Sequence, residues 1–279
     1  NFWKSLEDLS NNPEDSAVRA TVKERANTLV DTFHSIDSQL HDYKRSLNRD
    51  VNTTVDEINS LAKRIADLNG QIAHISGTGN KPNDLMDTRD NLIEKLNKQV
   101  NVRVRKDDRG NMNISLGSIG LVAGDKINEL EAKKIEGKEY EDEIRFKDMN
   151  LKAEIENGEL ASLVDLRNNV ISNHRGELDD MAKKFSKKFN EAHKSGYDLD
   201  GYSGEEFFVS DDSGDITADS IIVNGLIEND INKIAAGSLS DNRDVVKAEL
   251  KNSGNYSGDE YKITIDKSSD QYIVENLSD

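Results

Sequence analysis

Apolar residues recur at steps of three and four along the N-terminal part of the chain. These steps place them on one face of a helix, in a seam typical of coiled coils. No glycine or second proline interrupts residues 14–69, so we predict a nearly continuous helix of about 60 residues, about 90 Å long. Steps of four at Leu47, Val51 and Val55 depart from a heptad repeat and predict a bend or a change of packing partner.

Turn-forming residues mark the ends of this helix. Asn12 can cap a helix and Pro13 suits its first turn, so we predict that the helix begins near Pro13. The glycine-containing run 77–80 ends it, and a second helix is predicted over residues 82–98. With a short helix at the start of the chain, residues 1–99 form the first part of a helical stalk.

After residue 99 the apolar period changes from that of a helix to that of a strand. Alternation in Val100–Arg105 and Met112–Leu116, on either side of a polar turn, predicts a β-hairpin. Residues 100–157 are therefore predicted to form a β-rich head, completed by short strands near 120–123, 143–147 and 151–155.

The chain then returns to a helical pattern and ends in a second β-rich part. Residues 158–195 predict a helix that packs back along the first one, and residues 196–279 predict a β-rich outer domain whose last strand lacks closure, as in a truncated domain. The predicted fold class is α+β. It combines a long antiparallel helical stalk, a coiled-coil-like bundle, with an inserted β-rich head and a second β-rich domain.

Two groups of residues are predicted to hold the stalk together. The first group comprises large apolar side chains at seam positions, expected to pack the helices: Leu40, Leu47, Ile58, Leu61, Ile65, Leu68, Leu163, Phe185 and Phe189. The second group marks helix starts and consists of Asn12, Pro13, Asp87, Arg89, Asp165 and Arg167.

The last four of these residues belong to a short internal similarity. Residues 163–170 resemble residues 85–92, and in both copies apolar residues bracket an Asp-x-Arg sequence beside the β head. Residues two apart do not face each other on a helix. Each charged side chain is therefore expected to bind the neighbouring helix or its exposed amides, as a packing device.

Charge and composition exclude several classes of function. A net charge of -17 repels phosphate backbones, so we predict no binding to nucleic acid or to anionic membrane. No apolar stretch approaches the roughly 20 residues that cross a bilayer. The chain contains no cysteine, which excludes disulfides and thiol chemistry. Its first residues and its abrupt end suggest an excised fragment.

Nothing in the sequence predicts catalysis, a cofactor or a metal. The segment Asp198–Gly201 matches only part of a calcium loop, and the five histidines lack zinc spacing and fit surface or seam positions. One alternative left open is an enzyme in which Asp198, Asp200 or the Asp87/Arg89 pair serves a metal or carboxylate site.

Several segments resemble one protein family, the flagellar hook-associated proteins that join hook to filament. The resemblance is dense in the opening run of residues 1–19, NFWKSLEDLSNNPEDSAVR, and covers about residues 1–240. It continues in residues 55–61, 82–90, 158–160, 190–193 and 196–201. Residues 241–279 resemble only the variable outer domain that such proteins insert.

The resemblance implies a non-catalytic structural protein, exported unfolded through the flagellar type III apparatus without a cleaved signal peptide. It implies an extracellular place in the flagellum, in a ring of copies between hook and filament, with the hook protein and the second junction protein as further partners. It also implies that this chain is a central fragment without the two terminal axial segments. A second alternative is an extracellular adhesin or binding module whose stalk presents residues 201–279 to a ligand.

Overall fold

The computed structural model describes residues 2–212 and 214–237 in full, and residues 261–266 and 271–276 as strands. The chain divides into two compact units, Asn1–Ser238 and Leu239–Asp279. The predicted α+β class is confirmed, because long helices and small antiparallel sheets make up the first unit.

Three helices open the chain: α1 (Phe2–Asn11), α2 (Ser16–Gly77) and α3 (Asn83–Gln99). Helix α2 has 62 residues, and at 1.5 Å per residue it is about 93 Å long. Its end at Gly77 lies in the predicted turn. Its continuity follows from the absence of helix-breaking residues after Pro13 and before Gly70.

The predicted start of α2 was wrong by three residues. Asp15, not Asn12, caps the helix, because its Oδ1 accepts hydrogen bonds from the backbone N–H of Ala17 (2.8 Å) and Val18 (3.3 Å). In a helix that began at Pro13, the carbonyl of Pro13 would accept a hydrogen bond from the N–H of Ala17; it accepts one from Arg19 Nε at 2.7 Å instead. Residues 12–15 consequently form a turn.

The head contains seven strands in two antiparallel sheets. The first sheet has the order β1-β2-β3-β4 and the second the order β5-β6-β7. The strands are β1 (Arg103–Lys106), β2 (Met112–Leu116), β3 (Ile119–Ala123), β4 (Lys126–Ile127), β5 (Leu130–Lys133), β6 (Glu143–Phe146) and β7 (Leu151–Lys152). Strands β4 and β5 were not predicted. The first strand begins at Arg103, where pairing with β2 starts, and Val100 and Val102 before it are buried in the core.

The returning helix is interrupted by a π turn. Its segments are α4 (Glu159–Asp165), the π turn Leu166–Val170 and α5 (Ile171–Lys194). The rest of the first unit contains the antiparallel strands β8 (Phe208–Ser210) and β9 (Ile221–Val223), the short helix α6 (Gly225–Asn229) and a 3₁₀ turn (Ile231–Lys233).

The structure divides the chain at residue 238 rather than at the predicted boundary, residue 196. Phe207, Phe208 and Ile221 are fully buried in one core with residues of α1, α2 and α5, so residues 196–237 pack as part of the helical unit. The second unit contains an antiparallel hairpin, β10 (Tyr261–Asp266) and β11 (Gln271–Asn276), as the alternation there predicted. The prediction for residues 241–260 lies outside the described residues.

Two hydrophobic cores lie along α2. The head core contains Val51–Ala66 of α2 together with apolar residues of α3, α4 and the head. The aromatic core contains Val22–Phe33 of α2 and six phenylalanines, Phe2, Phe33, Phe185, Phe189, Phe207 and Phe208. The packing partner of α2 therefore changes between residues 41 and 50, which is where the steps of four begin.

Candidate functional site

Three arginines in the first unit are almost completely buried. Arg19, Arg89 and Arg167 each expose 1% or less of their surface. A buried guanidinium destabilises a fold unless its donors find acceptors. Each of these three donates to the backbone carbonyl of a segment outside the helices, so each fixes irregular or β structure to the helical frame.

Arg89, on α3, joins the turn between β1 and β2 to the long helix. Its Nη1 donates to Asn69 Oδ1 on α2 (3.3 Å) and to the carbonyl of Gly110 (3.1 Å). Its Nε and Nη2 both lie 3.3 Å from Asp90 Oδ1, which supplies a counter-charge. The guanidinium thus connects α2, α3 and the head.

Asn69 is itself fully buried and extends this contact into the sheet. Its Nδ2 donates to the carbonyls of Met112 and Gly124, both at 2.9 Å. Its Oδ1 accepts from the N–H of Met112 at 3.0 Å. Ten residues earlier on α2, Asn59 binds both the N–H and the carbonyl of Leu130 at 2.8 Å. Both sheets of the head are therefore hydrogen-bonded to α2 through asparagine side chains.

Arg167 lies in the π turn and makes the corresponding contact near the middle of α2. Its Nη1 donates to Asn48 Oδ1 (2.5 Å), and its Nη2 donates to the carbonyl of Asp142 (2.7 Å). Burial lowers the pKa of Arg167, while the charges of Asp142 and Glu141 oppose this shift. The buried carboxylate of Asp142 accepts from the side-chain amide of Asn48 at 3.0 Å.

The two copies of the Asp-x-Arg sequence occupy equivalent environments. In each copy the arginine is buried and reaches both an asparagine of α2 and a carbonyl of the head. Asp87 and Asp165 are exposed, and Asp165 accepts a hydrogen bond from Asn169 within its own helical segment. The contact to the neighbouring helix is thus made by the arginines and not by the aspartates.

Arg19 makes a third contact of this type at the other end of α2. Besides Pro13, it donates through Nη1 to the carbonyls of Ile231 (3.2 Å) and Ile234 (2.7 Å). Burial lowers the pKa of Arg19, against the charges of Asp198 and Asp230. Sequence reasoning missed this residue. The available signal was its position, three residues before Val22 and therefore in the apolar seam.

The apolar residues predicted to pack the stalk are divided between the two cores. Ile58 and Ile65 are fully buried in the head core, and three others are half-buried against it: Leu61, Leu68 and Leu163. Leu40, Phe185 and Phe189 are half-buried against the aromatic core. Leu47 is half-buried and belongs to neither core, because polar contacts from Lys44 and Asn48 hold the head to this part of α2.

One histidine lies on the buried face of α5, at a seam position. His193, near the end of α5, is 6% exposed and accepts a hydrogen bond from the N–H of Ala235 at Nε2 (2.8 Å). Its Nδ1 must then carry the proton that is donated to the carbonyl of Glu205, at 2.6 Å. Burial lowers the pKa of His193, since both ring nitrogens are already committed in the neutral form.

A lysine binds the carboxylates of the partial calcium loop. Lys233 Nζ lies 2.6 Å from Asp200 Oδ2 and 3.2 Å from Asp198 Oδ2. Hydrogen bonds to Asp200 and then to Asp198 raise the pKa of Lys233 above its usual range. Within the described residues no group of three or more His, Cys, Asp or Glu side chains could hold a metal ion. Over the same residues, no helix is long and apolar enough to span a bilayer.

In this fold, buried arginines and asparagines fix two β-containing segments to one long helix. This is the arrangement of a structural protein of the stalk type. A family model described as the flagellar hook-associated protein FlgK helical domain matches residues 1–208. The chain therefore belongs to the FlgK family of flagellar hook-associated proteins. Members of this family are structural components of the flagellum and have no enzymatic role.

Individual relatives agree with this assignment. Flagellar hook-associated protein 1 of Escherichia coli (strain K12) is 33% identical over 217 residues, covering 75% of this chain and 40% of that protein. The Bacillus subtilis (strain 168) protein of the same name is 29% identical over 235 residues, covering 74% and 46%. The solved flagellar hook junction protein FlgK of Burkholderia pseudomallei is similar with a TM-score of 0.65 and 26% identity, over 75% of this chain and 39% of that one. The chain thus spans about two fifths of the length of the first curated relatives it matches.

Proposed function

We propose that this chain serves in the junction between flagellar hook and filament, as part of a self-assembled ring of copies. Its further partners are the hook protein and the second junction protein. The protein reaches this extracellular position by flagellar type III export, without a cleaved signal peptide. The name of the Burkholderia protein, a hook junction protein, supports this assignment.

The proposal rests on the buried contacts that hold other segments of the chain against α2. A single helix of 62 residues bends easily if it stands alone. Here Arg19, Arg89 and Arg167 fix segments beside it at three separate levels, and two cores cover the same face. Bending the helix therefore requires several buried contacts to break together. This stiffness suits a part that transmits torque between two other parts.

Complementation in a motile bacterium tests the junction role. The native junction protein is deleted, the complete gene product containing this sequence is supplied, and hooks are inspected by electron microscopy. Attached filaments, with monomeric flagellin no longer shed into the medium, are the expected result. Hooks that stay bare although the protein is exported overturn the proposal.

Two arginine variants, one at a buried position and one at an exposed position, connect this test to the structure. Arg167→Met removes a buried contact, whereas Arg45→Met removes only an exposed arginine paired with Asp42. We expect filaments that detach or shed flagellin with Arg167→Met and normal filaments with Arg45→Met. Equal behaviour of the two variants would show that the braced helix is unimportant for the junction.

A further inference from the structure

A lysine-rich surface on α5 stands out in this acidic chain. Residues 183–194 contain five lysines and a single acid, Glu191, although the whole chain carries a net charge of -17. The opposite side of α5 is buried through Ala182, Ser186 and Asn190. The lysines consequently face outward, where a solvated helix face is the simplest expectation.

A groove lies beside these lysines, which a simple solvated helix face does not explain. It has a volume of about 720 Å³ and lies between α5 and residues of the segments 206–210 and 214–216. Half-buried Val209 and Ile216 contribute apolar surface, and Lys183, Lys187 and Lys194 lie at its rim. We call this feature the α5 groove. Its size is within the range of ligand-binding clefts.

Intramolecular pairing neutralises two of the three rim lysines. Lys183 Nζ lies 2.7 Å from Asp215, and Lys194 Nζ lies 2.7 Å from Glu206. Lys187 is exposed and has no acidic oxygen within 4 Å among the described residues, Glu191 one turn away included. Glu191 also lines the α5 groove, so its charges balance overall, but Lys187 is the lining lysine without an ion pair among the described residues. Apolar surface beside this lysine fits a segment that carries an apolar side chain next to a carboxylate.

Helix α1 of the same chain carries the complementary features. Trp3 is 63% exposed, and Glu7, one helical turn later, is exposed on the same face. Trp3 contacts the ring edge of Phe185, with centroids 6.3 Å apart, so α1 lies on the Phe185 flank of α5. At about 100° per residue, Lys187 is about 200° around the helix from Phe185. The groove and α1 therefore occupy opposite flanks of α5.

We propose that the α5 groove binds helix α1 of a second copy of this chain, with Trp3 on the apolar surface and Glu7 beside Lys187. This inference rests on the proposed ring and names its contact. Because the two patches differ and face opposite flanks, the interface is head-to-tail and repeats from copy to copy, an arrangement that forms a ring when the rotation between copies closes.

The sole tryptophan makes the contact measurable. At moderate ionic strength, where the repulsion between two copies of net charge -17 is screened, raising the protein concentration should shift the emission of Trp3 to shorter wavelength, with a parallel rise in sedimentation coefficient. Lys187→Glu should weaken association at least about fivefold. Lys95→Glu, at an exposed lysine on α3, should leave it unchanged.

A charge swap separates this contact from general electrostatics. Lys187→Glu and Glu7→Lys should each fail to self-associate. An equimolar mixture of the two variants should associate, because both contacts between unlike copies are complementary: the introduced lysine meets the introduced glutamate, and the native Glu7 of one variant meets the native Lys187 of the other. Any of three results would overturn the inference. The wild-type protein could stay monomeric, the mixture could stay monomeric, or Lys187→Glu and Lys95→Glu could have equal effects.

The filament assay then separates the two proposals. Filaments attached with the wild-type protein but lost with Lys187→Glu support both. Filaments attached with wild type and Lys187→Glu alike retain the junction role and overturn the α1–groove contact. Bare hooks with the wild-type protein overturn the junction role, whereas the solution measurements decide the contact between copies independently.

Discussion

Replacing Arg167 by methionine removes the guanidinium while keeping a long apolar side chain. The carbonyl of Asp142 then loses its 2.7 Å donor, Asn48 Oδ1 loses its nearest donor, and the buried carboxylate of Asp142 loses a favourable charge interaction. Each buried acceptor left without a donor costs about 1–3 kcal/mol, and the lost charge interaction adds to this. We therefore expect a loss of about 3–4 kcal/mol for Arg167→Met.

Asp142→Asn provides the second arm of a double-mutant cycle. It removes the negative charge, and the hydrogen bonds from Arg167 remain because they go to the Asp142 carbonyl and to Asn48. We expect a loss of about 1 kcal/mol for this change alone. The double variant should lose about 1–2 kcal/mol less than the sum of the single losses, since the charges are coupled.

Urea unfolding followed by circular dichroism measures the free energies of this cycle. Hydrogen exchange of residues 130–146 locates the loss and should accelerate about a hundredfold in Arg167→Met. Arg45→Met, at an exposed ion pair, should change stability by less than about 0.5 kcal/mol. The reasoning is refuted if Arg167→Met resembles Arg45→Met, or if the losses of the cycle add without coupling.

Three further predictions concern other buried contacts. Asn69→Leu should cost about 3–5 kcal/mol, because three backbone groups of the head lose their partners, whereas Asn91→Leu on an exposed face should be nearly neutral in the same unfolding assay. Gly158→Ala should cost more than about 2 kcal/mol in thermal or urea unfolding: Gly158 has a φ of 93°, and an added Cβ would lie 2.7 Å from the Gln99 carbonyl oxygen. The pKa of His193 is lowered in the folded state, so the unfolded chain binds the extra proton first and stability should fall as pH decreases below about 6.5. Melting temperature measured against pH should show this slope; it should be reduced in His193→Gln and retained in His174→Gln, an exposed histidine.

The long helix could be predicted because its signal is long and uninterrupted. Seventeen seam positions at helical spacing outweigh any local preference, and the end at Gly77 follows from its turn sequence. The start was misplaced because Asn12 and Asp15 are both good caps. The choice between them depends on Arg19, which binds the Pro13 carbonyl locally and is held in place by tertiary hydrogen bonds to Ile231 and Ile234.

The short strands of the head could not all be predicted from the local sequence. Strand β5, Leu130–Lys133, has the sequence LEAK, which consists of good helix formers. It is a strand because it pairs with β6 and because Asn59 of α2 binds both backbone groups of Leu130. Packing context decides such segments, and no periodicity within four residues could have revealed it.

The buried polar residues also explain why one alignment of helices and head is selected. An apolar face of Leu, Ile and Val repeats along α2, and similar side chains can fill similar gaps in more than one register. A shift of α2 by one heptad would move Asn48 about 10 Å from Arg167 and from Asp142. Arg167 Nη1 would lose its acceptor, and the buried carboxylate of Asp142 would lose the amide donor of Asn48. Arg89 with Asn69, and Arg19 with Ile234, impose the same condition at their own levels of the helix. The apolar cores thus leave more than one register open to the helices, and the buried polar contacts select one of them.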